Sequence, residues 1–326
     1  MHVLVTGGAG YIGSHACKAL AEAGFVPVAY DNLSNGRASA VKWGPLEEGD
    51  LADRAGIDQV FAKYAPVAVM HFAAAIEVGE SVTEPGKYWR NNFIGSLTLA
   101  EAAVAAGCLD MVFSSTCAVY DGNTEDDLTE DSAFGPINAY GSSKRATEMM
   151  LEDFATAHGL KSIIFRYFNV AGAAQGAGIG QSHANPTHII PRLLIALEGG
   201  MGHMTINGSD YPTPDGTCIR DYIHVNDLVD AHIAGLKHLL EGRDGAAYNL
   251  GTGRGASVRE VIEASGDVVG HMPQIAVGPR RDGDAVRLVS GSRKASNDLG
   301  WAPKSSDLET ILTDAWAWHK SRGWEQ

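Results

Sequence analysis

The sequence predicts an α/β protein: a doubly wound parallel sheet, followed by a smaller C-terminal α/β substrate domain. Three observations carry this expectation. Apolar runs and helical patterns alternate through the first half of the 326 residues. Those runs are continuously apolar, as strands read when helices cover both faces of a sheet. A glycine-rich turn, Val5-Thr6-Gly7-Gly8-Ala9-Gly10-Tyr11-Ile12-Gly13, joins the first strand to the first helix, and that is the context in which such spacing has structural meaning.

Taken in order, strands are predicted at 2–5, 26–30, 68–72, 111–114 and 162–167, with a weaker one at 46–50. Helices are predicted at 13–23, 57–63, 88–106 and 139–158. Strands joined through helices in one sheet require right-handed crossovers and parallel pairing. After residue 169 the pattern changes. Residues 171–186 are rich in Gly, Ala, Gln and Asn and read as loop, followed by a helix at 188–198 and a second loop at 211–216. Residues 223–225 lead into a helix at 227–240. Short strands at 247–250, 274–277 and 286–289 then mix with helices at 258–264, 293–299 and 308–320. The expected division is a nucleotide-binding domain at 1–169, with a returning segment near 219–250, and a cap at 170–326.

Composition bounds the function. The chain is 45% hydrophobic and 20% charged, ordinary for a soluble globular protein, and its length suffices for two domains. A net charge of -14 argues against a nucleic-acid or anionic-membrane binder. The four cysteines, Cys17, Cys108, Cys117 and Cys218, are scattered without a CxxC pair, so no disulfide framework or zinc knuckle is expected. No metal site is expected either: His183, His188 and His203 share no ligand spacing, and His71 and His224 read as structural. The N-terminus has neither a basic region nor a signal-type apolar stretch, and no run of about 18 apolar residues suggests a membrane span. A cytoplasmic setting is expected.

The glycine turn is the first chemical signal. Gly7 permits a sharp turn, Gly10 lets backbone approach a pyrophosphate, and Gly13 lets the helix pack against the strand. The helix N-terminus then offers unpaired N–H groups and a partial positive charge to an anion. The next apolar run ends at Asp31, 18 residues beyond Gly13. A carboxylate there accepts from both ribose hydroxyls of an adenosine and repels a 2′-phosphate, which favours NAD over NADP and a Rossmann-like fold.

The second signal is Tyr140-Gly141-Ser142-Ser143-Lys144. A spacing of four puts Tyr140 and Lys144 on one helix face. A neighbouring ammonium and an oxidised nicotinamide both favour phenolate, so the phenol is expected to fall below its ordinary pKa near 10 and act as a general base. Alone, this spacing also describes a solvated Tyr–Lys pair. The stretch Phe113-Ser114-Ser115-Thr116 places hydroxyls where ligands lie in such folds, at the carboxyl end of a parallel strand.

Together these residues resemble the extended short-chain dehydrogenase/reductase family, and within it most closely the UDP-glucose (UDP-galactose) 4-epimerases. The resemblance runs almost end to end. Its specific stretches include Asp31-Asn32-Leu33-Ser34, Gly49-Asp50-Leu51, His71-Phe72-Ala73, Val78-Gly79-Glu80-Ser81, Arg166-Tyr167-Phe168-Asn169, Arg220-Asp221-Tyr222-Ile223-His224-Val225 and Pro279-Arg280-Arg281-Asp282-Gly283-Asp284.

The resemblance implies NAD as cofactor and a UDP-sugar as substrate. Its cofactor set is Gly7, Gly10, Tyr11, Ile12 and Gly13 at the turn, Asp31 and Asn32 on the adenosine side, Asp50 and Leu51 toward the adenine, and Phe72, Ala73, Asn91, Ser114, Tyr140, Lys144 and Tyr167. Tyr140 would be the base, Lys144 would hold the nicotinamide ribose, and Thr116 would be the catalytic hydroxyl. Asn169, Arg220 and Arg281 would contact the substrate diphosphate and Asp284 the uridine ribose, with His188 and Leu288 completing the substrate set. The implied reaction takes the proton of the sugar 4-hydroxyl to Tyr140 as C4 gives hydride to NAD. The 4-keto sugar turns over, tethered by its diphosphate, and the hydride returns to the other face. A homodimer through the helices near 88–106 and 139–158, and a role in galactose metabolism, follow by the same analogy.

The chain departs from the family at three places. Ile76 stands where a Lys is frequent, and Asn207 where an aromatic packs on uracil. Leu288 is intermediate between the bulky Tyr that excludes N-acetyl sugars and the small residue that admits them. Substrate breadth therefore stays open among UDP-hexoses, UDP-xylose/UDP-arabinose and UDP-N-acetylhexosamines. A 4,6-dehydratase is disfavoured because Cys117-Ala118 follows Thr116 where two acids would be needed. A decarboxylase lacks support, and a NAD-responsive regulatory protein commonly loses the Tyr–Lys pair that this chain keeps. From the residues alone, Arg220 could instead pair with Asp221 or Asp227, and Arg281 could be half of a solvated Arg-Arg pair.

Overall fold

The computed structural model describes residues 1–122, 126–182, 186–199, 203–281 and 284–321. The first half runs β1 (His2–Thr6), α1 (Tyr11–Glu22), β2 (Val26–Asp31), β3 (Leu46–Glu48), α2 (Arg54–Tyr64), β4 (Ala68–His71), α3 (Val78–Thr83), α4 (Pro85–Tyr88), a π-helical turn (Trp89–Ile94), α5 (Gly95–Ala105), β5 (Asp110–Ser114), α6 (Ala139–His158) and β6 (Lys161–Tyr167). The second half runs β7 (Asn169–Ala171), α7 (Ile189–Leu197), β8 (Met204–Asn207), β9 (Ile219–His224), α8 (Val225–Leu240), β10 (Ala246–Leu250), β11 (Gly255–Ser257), α9 (Val258–Val269), β12 (Ile275–Gly278), β13 (Arg287–Leu288), α10 (Lys294–Leu299) and α11 (Leu308–Lys320).

Seven strands form one parallel sheet in the order β10-β6-β5-β4-β1-β2-β3. Successive residues along each strand enter cores on opposite faces. Val3 and Val5, Met70, Val112, Ile163 and Phe165 pack on one side. Leu4, Val69, Met111, Phe113 and Ile164 pack on the other. This is why the strands read as unbroken apolar runs: both faces are dry. A third cluster, built on Leu193, Leu194, Ile262, Ile311 and Leu312, holds α7, α9 and α11 together. β9 joins β7, β11 and β13 in a small mixed sheet, and β8 pairs with β12. α8 and β10 return to the large sheet, where β10 pairs with β6 from Ala246↔Ile163 to Leu250↔Tyr167.

The predicted elements differ from the observed ones where side-chain chemistry sets the ends. α2 begins three residues before the predicted 57 because Asp53 caps it, accepting from Gly56 N. α9 runs beyond the predicted 264 from a Ser257/Glu260 capping box to Gly270 in the left-handed region. The predicted single helix at 88–106 is broken by the π turn, a feature concentrated at functional sites. The helix α3 and the strands β7, β8 and β11 had no sequence signal, being three to six residues long. Within the predicted loop 171–186, residues 183–185 lie outside the described residues, as does His183.

His71 and His232 are buried, and burial pushes their pKa values down to about 3 and about 4. Both are neutral when folded and must take up a proton on unfolding below pH 6.5. The unfolded state then binds more protons, so stability falls as pH drops from 6.5 toward 4, by up to about 1.4 kcal/mol per pH unit for each histidine. Denaturant midpoints measured between pH 4.5 and 7.5 should show this decline. A flat profile would mean these histidines are not held neutral.

Candidate active site

The glycine turn, Asp31 and Ser114 lie at the carboxyl edge of the large sheet. β1 ends at Thr6, Gly10 N closes the turn onto Gly7 O at 3.0 Å, and α1 begins at Tyr11. Gly7 has φ +73, and a Cβ there would lie 2.7 Å from Ala73 N. A Cβ at Gly13 would lie 2.1 Å from Gly7 O. Any side chain at either position would push the helix start or the β4 exit out of place. The N-terminus of α1 has no side-chain cap and no acid in its first turn, so its N–H groups and positive dipole end are available to an anion. The Tyr11 phenol donates to Gly172 O at 2.7 Å, and Ile12 packs into the core. Both side chains are half-buried, and their backbone lies in the first turn of α1.

At the end of β2, Asp31 is buried and its two oxygens accept from Ala9 N at 3.0 Å and Leu33 N at 2.9 Å. Burial raises its pKa and these two N–H groups oppose that rise. Leu33 itself takes a left-handed φ of +56, where the chain turns after β2. Asn32 Nδ2 donates to Asp50 Oδ2 at 2.7 Å, and Ala52 N to Asp50 Oδ1 at 2.8 Å. The Leu51 side chain is core. Hydrogen bonds thus link Ala9 of the glycine turn to Asp31 and Asn32 to Asp50, and the free N–H groups and carboxylates present are of the types an adenosine diphosphate would take.

Phe72 N and Ala73 N both donate to Thr6 O, at 3.0 and 3.1 Å, so the β4 exit borders the same turn. Asn91 lies in the π turn and donates to Asn92 Oδ1 at 2.9 Å. Asn92, which the sequence reading did not single out, is the buried anchor. Its Oδ1 accepts from Ala75 N at 2.8 Å, and its Nδ2 reaches Ala75 O at 3.0 Å and Ser143 Oγ at 3.2 Å. Only the π turn reveals which of two adjacent asparagines faces inward.

Tyr140 and Lys144 leave the first two turns of α6, whose N-cap is Asn138. Lys144 Nζ is buried and donates to Ser114 O at 2.8 Å. Burial pushes this amine down to about 7, with the Glu148 charge acting the other way. The Tyr140 phenol is raised from its ordinary range by desolvation and then by Tyr167, while a hydrogen bond with the Thr116 hydroxyl opposes the rise. Among the protein's own groups, loss of water therefore raises the phenol, opposite to the fall expected beside an ammonium and an oxidised nicotinamide, and burial also draws the Lys144 amine toward its neutral form. Ser114 Oγ donates to His232 Nε2 at 3.1 Å, since His232 Nδ1 donates to Leu228 O. The Tyr167 phenol shares a hydrogen bond with Ser114.

Across the crevice, Asn169 lies in β7, opposite Tyr222 of β9. His188 sits at the start of α7, its Nδ1 accepting from Gln181 Nε2 at 2.9 Å. Arg220 pairs with Asp284, so the expected diphosphate and ribose contacts are brought together. Neither Asp221 nor Asp227 is its partner. Asp221 is taken by Thr252, Gly253 and Ser290, and Asp227 by Ser305 and Ser306. Nor are Arg280 and Arg281 a solvated pair. Arg280 stacks 4.2 Å over the Tyr211 ring and binds Asp210. Arg281 donates through Nε and Nη2, at 3.0 Å each, to Asn207 with that amide turned so its oxygen faces the guanidinium. Leu288 is in register with Arg220 and packs against the cluster of Cys117, Val119 and Tyr120 that follows Thr116. Among the described residues, no group of three or more His, Cys, Asp or Glu side chains is placed to hold a metal ion.

The Gly13→Ala variant is expected to lose retained dinucleotide and to melt several degrees lower, because its Cβ collides with a backbone oxygen. Absorbance of the purified protein at 260 nm and a melting curve check this. Full cofactor retention would show that the turn is not the pyrophosphate site.

The chain matches the NAD dependent epimerase/dehydratase family over residues 3–251. It is 49% identical over 321 residues to the UDP-glucose 4-epimerase of Rhizobium meliloti, covering 98% of each chain. A UDP-glucose 4-epimerase structure from Brucella ovis in complex with NAD superposes with a TM-score of 0.94 at 46% identity, over 97% of each chain. One from Stenotrophomonas maltophila, with bound NAD and formylated UDP-arabinopyranose, gives 0.95 at 37% identity over all of both chains.

Proposed function

The chain belongs to the NAD dependent epimerase/dehydratase family, and from that premise we propose that it is an isomerase, a NAD-dependent 4-epimerase interconverting UDP-glucose and UDP-galactose. The observation that carries this reading is the Thr116–Tyr140–Lys144 group, set beside an uncapped helix N-terminus in a chain 49% identical to such an enzyme.

NAD, when bound, would supply a reversible two-electron acceptor for the hydride of sugar C4. The glycine turn and the start of α1 would hold its pyrophosphate, and Asp31, which already accepts from Ala9 N and Leu33 N, its adenosine ribose. Tyr140 takes the proton of the 4-hydroxyl and returns it, and Thr116 donates to or accepts from the same oxygen. Lys144, when charged, lowers the phenol pKa and binds the nicotinamide ribose. Asn169, Arg220 and Arg281 hold the diphosphate while the 4-keto sugar turns. Arg220 shares its charge between Asp284 and the phosphates, as a guanidinium with five donors allows. Tethering supplies the positional part of catalysis, and the cap keeps water from the ketone. We assign the cofactor to the seven-stranded sheet and the nucleotide sugar to the smaller unit. A UDP-pentose is the second reading, because the Stenotrophomonas relative holds a UDP-arabinopyranose derivative.

Among the described residues no helix is long and apolar enough to cross a membrane. We assign the dimer contact to the helices near 88–106 and 139–158, where Trp89, Ile94 and Met149 are exposed. Exposed large apolar side chains on these helices support a protein contact there. Gel filtration at the mass of one chain would remove this assignment.

Purified protein incubated with UDP-galactose and no added NAD should yield UDP-glucose. Tyr140→Phe should slow turnover by about 10²- to 10⁴-fold with UDP binding intact. Wild-type turnover in that variant would refute the catalytic role. Conversion of UDP-xylose alone would establish the pentose reading.

A further inference from the structure

Beneath the catalytic helix lies an ion pair that the mechanism above does not use. Glu148 is fully buried and Arg166 nearly so. Glu148 follows Lys144 by one helical turn and Tyr140 by two, on the same face of α6. Its carboxylate accepts from Arg166 Nε at 2.9 Å and Nη2 at 2.8 Å, from Arg145 Nη1 at 3.1 Å, and from the Ser115 hydroxyl. Arg166 Nη1 donates onward to Tyr120 Oη at 2.9 Å, and that phenol donates to Asn249 Oδ1 at 2.7 Å.

Ser115 and Tyr120 bracket the short loop that carries Thr116. One end is tied to the carboxylate of the pair and the other to its guanidinium. Between them Thr116 accepts from Ala118 N at 3.1 Å, and its hydroxyl acts to lower the Tyr140 phenol against the rise that burial causes. Two apolar side chains would fasten α6 to β6 at least as well, since a buried ion pair seldom adds net stability. They could not present directional hydrogen bonds to both ends of a loop.

We propose that the Glu148–Arg166 pair is a positioning device: it clamps the Ser115–Tyr120 loop at both ends and so fixes the Thr116 hydroxyl against the Tyr140 phenol. Glu148, Arg166, Ser115 and Tyr120 are positioning residues, acting through Thr116. The proposal rests on the epimerase reading, and it places part of the catalytic geometry in residues that face away from the crevice.

Ser115→Ala and Tyr120→Phe each remove one tie and leave the ion pair intact. In each, kcat for UDP-galactose should fall about tenfold or more, because small misplacements of reacting groups are costly. KM should stay within twofold, and calorimetric affinity for UDP should be unchanged. Ser115→Thr, which restores a hydroxyl, should recover most of the lost kcat. A crystal structure of Ser115→Ala should show the Thr116 hydroxyl moved away from Tyr140. Glu148→Gln should lower kcat further, and should it fail to fold, the two milder variants still decide. If both keep wild-type kcat, or if Thr116 stays in place, the proposal is overturned. If kcat falls only in proportion to folded protein, it is also overturned. If wild-type protein does not epimerise any UDP-sugar, the functional reading fails instead, and the crystal structure alone then judges the clamp.

Discussion

Every part of this site depends on one constraint: β1 pairs in parallel with β2 on one side and β4 on the other. A parallel sheet aligns all its carboxyl ends on one edge, and where the crossovers part to opposite faces a crevice must open. Thr6 is therefore level with Tyr30 and His71, and His71 with Phe113, so that Asp31 and Ser114 follow one residue beyond on neighbouring strands. The turn after β1 must clear both neighbours. This is why Gly7 abuts Ala73 from the β4 exit and Gly13 abuts the Gly7 carbonyl. The close packing that excludes a Cβ also aims the start of α1 along the crevice.

Beneath that edge lies a layer of buried polar groups, each satisfied by the fold. His71 bridges Thr6 and Ser96 at 2.7 Å each, and His232 bridges Leu228 O and Ser114. Lys144 ends on a carbonyl, and Glu148 meets Arg166. Burying such groups is costly unless every donor and acceptor finds a partner. These shared partners restrain one another, since a member that moves leaves a buried group unpaired. The same dryness governs the chemistry: it raises the phenol of Tyr140 and lowers the amine of Lys144, bringing both toward their neutral forms.

Much of the fold was legible because its signals are local. Apolar runs of four to seven residues marked the strands of the large sheet, and α6 carries both its Asn138 cap and its Gly159 stop in the sequence. The glycine turn and the Tyr140–Lys144 spacing are likewise contiguous. The misses share a different cause. Asn92 depends on a π turn that shifts helical register. Glu148 could have been found by continuing the i, i+4 series from Tyr140, but its partner Arg166 lies on another strand. The pairing of Arg220 with Asp284 crosses 64 positions, and that of Arg281 with Asn207 joins a loop to a distant strand end. Neither spacing carries a periodic signal.

The sequence by itself determined the doubly wound parallel sheet, the glycine turn between its first strand and first helix, and the Tyr140–Lys144 spacing on one helix face. These follow from periodicity, backbone freedom and side-chain type, all of which act over a few residues. The tertiary structure alone decided which charges neutralise one another, which asparagine faces inward, how far burial moves the phenol and amine, and that one ion pair holds both ends of the Thr116 loop. Those are properties of desolvation and distance between segments far apart in the chain, and they exist only once the sheet has closed water out.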